Sequence, residues 1–333
     1  MFRNKILFLI LLVSVCSCSK TEFEEQTDDS PYLEDNRWIY SQMNRNYLMR
    51  EDLPDSLSCD YTLSPDVFFR KLLSSRDRFS YCEFNGSYKP DNTKANSSGE
   101  TVFTYKADDY AGKRVGYLHY FGFGSASDLV PALRFFYEQK IDELILDLRF
   151  NNGGYVSTCR YLCNCIVPEI GYGDVFQYNS YNDILSAEYE RKTGSKFSFE
   201  YFEKASESVE SLGTPTIGLK MKRLFVLVSG KTASASEALI ICLRPYMPVI
   251  TIGETTVGKG TGMHILQDNR KCRYILSPLT MRYHSKDGGI TPDTGIIPDY
   301  YVRNEDSGVS EERMGKLVEP LYAKAVELIT ANQ

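Results

Sequence analysis

Three short segments of the chain carry the residue types needed for nucleophilic chemistry without a metal. They are Asn151-Asn152-Gly153-Gly154, Ser234-Ala235-Ser236-Glu237 and Gly258-Lys259-Gly260. A serine hydroxyl is a weak nucleophile until a neighbouring base takes its proton. A lysine amine can be that base if removal from water brings its pKa down toward neutrality. Lys259 stands between two glycines, so its backbone can approach another segment closely. It also comes soon after the apolar run Val249-Ile250-Thr251-Ile252. Ser234 lies at a strand-to-helix turn, which leaves the Ala235 N–H facing outward at a helix N-terminus, ready for an oxyanion. Gly153 or Gly154 can supply a second N–H of the same kind. Singly, each segment has a plain structural reading: Ser-Ala-Ser is a good helix cap, Gly-Lys-Gly a common turn, Asn-Asn-Gly-Gly a loop.

Each segment needs a rigid element in front of it. Residues 143–149 (ELILDLR), 224–229 (LFVLVS) and 249–253 (VITIG) read as short apolar strands, and helices are predicted over 155–167 and from Ser234 onward. Strands are also expected at 101–106 and 114–120. Ser127 is expected to cap a helix with Leu129, Leu133 and Phe136 on one face. Strands alternating with helices imply an α/β domain. In an open sheet of that class, sites form beyond the carboxyl ends of the strands. Ahead of this core, residues 36–48 and 64–73 read as two helices, the second with Ser64 as N-cap and Pro65 at its first position. Between helices and core, 83–109 reads as a linker. Residues 178–211 are aromatic and charged, helical in places, with no clear partner face. Within this region, the aromatic stretch Phe176 to Phe202 fits a lid, a partner surface or a loosely packed excursion of the core equally well. The tail from Ser310 reads as a helix broken near Pro320.

The order and spacing of the three segments resemble the carboxyl-terminal processing peptidases, also called tail-specific proteases. That family carries Asp-Leu-Arg followed by Asn-Gly-Gly, then Ser-Ala-Ser-Glu, then Gly-Lys-Gly. Here the elements are Asp147-Leu148-Arg149 with Asn152-Gly153-Gly154, Ser234 to Glu237, and Gly258 to Gly260. Gly295-Ile296-Ile297-Pro298-Asp299 and Asp77-Arg78-Phe79-Ser80-Tyr81 resemble further family elements. The resemblance implies a ClpP/crotonase-like α/β core of strand–helix repeats with a small N-terminal helical unit. It implies a Ser234–Lys259 dyad acting on polypeptides, supported by Glu237 and Thr256, with an oxyanion hole from Ala235 and Gly153 or Gly154. Two departures stand out. The family often has a glutamine four residues after the lysine, orienting the amine, where this chain has Met263. Most members also insert a PDZ domain between the helical unit and the core. That domain needs on the order of 80 residues, so the stretch 83–109 implies its absence.

Residues 1–18 have a charged start (Arg3, Lys5), an apolar stretch too short to span a bilayer, and Ser17 before Cys18. This is the pattern of a lipoprotein leader, with Cys18 as the lipidated residue rather than Cys16. Residues 19–34 read as an acidic tether. The expected layout is leader 1–18, tether 19–34, helical unit 35–82, linker 83–109 and peptidase core 110–333. The expected location is the envelope of a Gram-negative-type bacterium, anchored at the outer membrane through the N-terminal lipid alone. The formal charge is −6, which offers no footprint for nucleic acid. Three histidines and the spacing of Cys159, Cys163 and Cys165 make no familiar ligand set, so no metal and no cofactor are expected. Two other readings stay open at this point. A histidine, His119 or His264, could serve as base in a tricorn-like Ser–His arrangement. Alternatively, the fold could bind peptides or partners without cutting them.

Overall fold

The computed structural model describes residues 30–84, 103–203, 210–211, 214–268, 272–303 and 313–331. The leader with Cys18, the tether up to residue 29, and residues 85–102 of the expected linker lie outside the described residues.

The core is a mixed α/β arrangement around a six-stranded sheet. Its spatial order is Tyr300–Tyr301, Val249–Gly253, Leu224–Val228, Glu143–Asp147, Lys113–Tyr120 and Phe103–Tyr110. All neighbours are parallel except the last pair, a hairpin in register from Phe103↔Tyr120 to Tyr110↔Lys113. The hairpin strand therefore begins inside the stretch read as linker. Parallel strands buried on both faces need near-continuous apolar runs, and ELILD and LFVLV are buried at every position. One face is covered by Val130–Gln139, Val156–Ile166 and Ala235–Leu243, packed with Leu118, Tyr120, Leu146 and Val226. The other face is closed by Pro320–Ala331 against Tyr117, Ile145, Phe225 and Leu227. Pro320 begins this helix instead of breaking a longer one, because its fixed φ and missing N–H suit a first turn.

A second, antiparallel sheet has the order Thr261–Met263, Leu279–His284, Val175–Ser180 and Ser198–Tyr201. The segment 178–211 thus has a partner after all: two of its strands pair there, flanking the helix Asp183–Thr193. Ser127 caps no helix; the turn Ala126–Leu129 runs into Val130–Gln139, with Pro131 in its first turn. Ser64 occupies the N-cap position of Pro65–Leu72 without making a capping bond.

The N-terminal helices Leu33–Asn46 and Pro65–Leu72 do not close a core of their own. Trp38, Ile39, Met43, Tyr47, Phe68, Phe69 and Leu72 pack with Cys272, Leu276 and Leu279 of the core. The strand Tyr81–Phe84 seals the junction by pairing antiparallel with Tyr274–Ser277. A buried ion cluster ties the C-terminal helix to the sheet. Arg149, fully buried, binds Asp147 through Nη2 at 2.8 Å and Glu319 through Nη1 at 2.6 Å. Glu319 in turn accepts from the N–H groups of Leu321 and Tyr322, at the start of that helix.

Candidate active site

The three segments singled out in the sequence meet at the carboxyl ends of adjacent parallel strands. After Leu224–Val228, the turn is pinned to the neighbouring strand: Thr232 Oγ1 donates to the Leu148 carbonyl at 2.8 Å, and Ser229 Oγ donates to the Arg149 carbonyl. Ser234 then adopts φ 58°, ψ −117°, a conformation L-residues rarely hold. It is the sharp elbow that lifts a side chain off the end of a strand before a helix begins. The helix Ala235–Leu243 follows directly, and no internal acceptor takes the Ala235 N–H among the described residues.

Asn151 fastens the glycine loop to this elbow. Its carbonyl accepts from Ala233 N–H at 3.2 Å and from Ser236 Oγ at 3.1 Å. Its side-chain amide donates to the Tyr120 carbonyl at 3.0 Å, and its Oδ1 accepts from the Gly153 N–H at 2.9 Å. The Gly153 N–H is therefore already committed. Gly154 is the pair member whose N–H has no such partner among the described residues. A Cβ on Gly153 would come within 2.8 Å of the Ser234 Cβ, and one on Gly154 within 2.3 Å of the Phe123 carbonyl oxygen. With φ of 108° and 135°, both positions demand glycine on two counts.

Glu237, fully buried, holds the serine and lysine turns together. Its Oε2 accepts from the Ser234 N–H at 2.9 Å and the Lys259 N–H at 2.8 Å. Its Oε1 accepts from the Gly258 N–H at 2.8 Å and from Thr256 Oγ1 at 2.5 Å. Thr256 Oγ1 also accepts from the Ile296 N–H at 2.7 Å, which brings in the Gly295-Ile296 turn. A buried carboxylate with four donors is fully satisfied.

Lys259 is partly buried, with Nζ 5.3 Å from the centroid of the Phe79 ring. Burial pulls its amine below the ordinary lysine pKa, and the carboxylates of Asp77 and Glu237 pull the other way. The spacing argument quoted Asn151 without giving it a role and missed Asp77 and Phe79 as neighbours of Lys259. Asp77 and Phe79 come from the N-terminal unit, far away in sequence, and only the quoted Asp77-Arg78-Phe79-Ser80 string signalled them. Met263 does not face a site role: its side chain packs into the apolar cluster of the N-terminal unit.

The three histidines have different surroundings. His119 shares a sheet face with Tyr117, which packs on Tyr322 of the C-terminal helix, opposite the face that carries the Ser234 helix. His284 Nε2 is 2.8 Å from Ser180 Oγ, and its ring stacks on Tyr178. His264 is exposed beyond the strand Thr261–Met263. Among the described residues, no group of three or more His, Cys, Asp or Glu could hold a metal ion.

Residues 114–302 match the family model described as Peptidase family S41, and residues 34–81 match that described as Peptidase S41 N-terminal domain. A carboxyl-terminal-processing protease of Picosynechococcus sp. is 26% identical over 238 residues, covering 68% of this chain and 48% of the relative. A tail-specific protease of Haemophilus influenzae is 26% identical over 189 residues, covering 54% of this chain and 23% of the relative. The chain thus spans less than half the length of these curated relatives. Among solved structures, a candidate S41 protease from Bacteroides fragilis superposes with a TM-score of 0.70 at 21% identity, covering 89% of this chain and 97% of the other. A lipoprotein from Streptococcus agalactiae gives 0.57 at 16% identity, covering 82% and 92%. At these identities the likeness to the solved structures is one of fold.

Proposed function

Because the chain belongs to peptidase family S41, we propose that it is a serine endopeptidase cutting extended polypeptide segments, with Ser234 as nucleophile and Lys259 as general base. One observation carries the reading: the Glu237 carboxylate grips the Ser234 and Lys259 backbones through the same oxygen, so the two turns are fixed against each other. In the proposed step, the neutral Lys259 amine takes the Ser234 hydroxyl proton as Oγ adds to the scissile carbonyl. The N–H groups of Ala235 and Gly154 receive the resulting oxyanion; the Gly153 N–H is spoken for by Asn151. The Lys259 ammonium then protonates the departing amine, leaving an ester on Ser234. Water, deprotonated by the same amine, hydrolyses that ester. Glu237 and Thr256 act by holding the turns, and no step calls for a cofactor.

The test is hydrolysis of unfolded casein by the purified protein, with Ser234→Ala and Lys259→Ala variants alongside and with chelators present. Each substitution is expected to lower the rate by several orders of magnitude, and chelators to leave it intact. Activity surviving in Ser234→Ala would overturn the assignment. A wild type that binds peptides but cuts none would leave the fold a binding module. The reading extends to an envelope location through a lipid on Cys18, so Cys18→Ala should lose partition into detergent; retained partition would reject that anchor.

A further inference from the structure

The residues that close over Lys259 come from the N-terminal unit, not from the peptidase core. Residues 77–80 form a tight turn around the Asp77 carboxylate. Its Oδ1 accepts from the N–H groups of Phe79 at 2.9 Å and Ser80 at 3.0 Å, and its Oδ2 from Tyr47 Oη at 2.8 Å. Ser80 Oγ donates to Oδ2 and accepts from the Leu279 N–H at 2.8 Å, which locks the turn to the core strand Leu279–His284. Arg78 Nη2 donates to the Asp293 carbonyl at 2.7 Å and to the Val257 and Gly258 carbonyls at 3.3 Å each, bracing the lysine turn from outside. The Phe79 ring lies over the Lys259 amine. Meanwhile Met263, where the resembling family carries an amine-orienting glutamine, pairs with Leu279 and packs into the N-terminal apolar cluster.

We infer that the turn at residues 77–80 is the positioning element for the Lys259 amine, with Phe79 as its roof and the Asp77 carboxylate as a moderating anion. The inference takes from the proposed peptidase reading only what the amine is used for. Two opposed effects give it content. The Phe79 ring keeps water from the amine, while the Asp77 charge favours the ammonium. The other charged groups around Lys259 are Arg78 on the same turn, Glu237 from the helix that follows Ser234, and Asp293 on the facing loop. The Asp293 carboxylate engages Arg282 at 3.2 Å and is 73% exposed. Burial is the largest influence on the amine, ahead of Asp77 and Glu237, in keeping with a roof that dominates and an anion that moderates.

Trace acylation of the full chain across pH, read by mass spectrometry at the Lys259 peptide, follows this amine whether or not the protein cuts anything. Asp77→Asn keeps the shape of the turn and removes the charge, so the titration should move to lower pH. Phe79→Ala admits water and should move it to higher pH, with Phe79→Leu staying nearer wild type. Asp293→Asn, at an exposed site, should leave it in place. In a casein assay the acid limb of kcat/KM should move in the same two directions, so that below the plateau Asp77→Asn gains rate and Phe79→Ala loses it, in kcat and not in KM. A purely structural role would lower activity without displacing either titration. An unmoved Lys259 titration in both Asp77→Asn and Phe79→Ala would overturn the inference. If Phe79→Ala fails to fold, Phe79→Leu and Asp77→Asn decide it. A displaced titration together with undiminished hydrolysis in Ser234→Ala would keep this inference and reject the peptidase assignment, so the two failures are separable.

Discussion

Ser234 and Lys259 each hold a state that the isolated residue avoids. The elbow at φ 58°, ψ −117° costs about 1–3 kcal/mol and persists because its neighbours over-determine it. The Ser234 N–H is held by Glu237, and the backbone at Gly153 packs closely against the Ser234 turn. Lys259 carries a net burial penalty, seen as a lowered pKa. The sign follows from linkage. Below the folded-state pKa the amine is charged in both states, and the folded state bears the full penalty. As pH rises to about 10.4 the unfolded amine also becomes neutral and the penalty vanishes. Lys259→Met, which keeps the length and loses the charge, should therefore abolish activity and raise Tm by roughly 1–3 °C at neutral pH. The gain should shrink toward pH 10. Calorimetry at the two pH values checks it, and a Tm that falls at neutral pH would refute the burial argument.

At the scale of elements, the site is a junction of turns that different strands deliver. Leu224–Val228 brings Ser234, Val249–Gly253 leads to Thr256 and Lys259, and Glu143–Asp147 leads to Asn151 and the glycine pair. Glu237, on the helix that follows Ser234, is the joint. Glu237→Gln replaces two of four acceptor sites by donors. That sets an amide NH₂ against backbone N–H groups, at about 1–3 kcal/mol for each group left unpaired. The expected outcome is a fall in kcat on the order of 10²-fold with a smaller change in KM, and a lowered Tm. A variant within threefold of wild type in kcat would show that the joint is not needed. Elements of this core were legible wherever apolar periodicity was strong, as in ELILD and LFVLV. The strands Val175–Ser180 and Ser198–Tyr201 were not, because their side chains are covered by partners remote in sequence, such as Leu279–His284.

For the molecule as a whole, the N-terminal unit and the core share one apolar cluster, so the unit is part of the peptidase architecture and not an appendage. Only residues 85–102 separate the strand Tyr81–Phe84 from Phe103–Tyr110. A PDZ domain, which needs on the order of 80 residues, does not fit there. A PDZ domain binds a terminal carboxylate by strand addition. On the present proposal, cleavage here should not depend on a free carboxyl terminus. Matched peptides that differ only in C-terminal amidation should have kcat/KM values within tenfold, about 1.4 kcal/mol. A larger preference for the free acid would reveal a tail-binding site elsewhere in the chain.

By itself the sequence determined the local chemistry. The Ser234 and Lys259 turns, the paired glycines and the apolar strands before them are written in residue type and spacing, because turn geometry and strand burial depend on near neighbours. Tertiary structure alone decided which groups those turns meet. Four things needed coordinates and not spacing: the commitment of the Gly153 N–H to Asn151 two residues away, the four-way grip of Glu237 on turns up to 22 residues on, the placement of His119 on the far face of the sheet, and the closing of Phe79 over Lys259 across 180 residues. Burial, and with it the charge state of an amine, is set by the atoms that surround a side chain. Most of those atoms belong to segments that no local pattern connects.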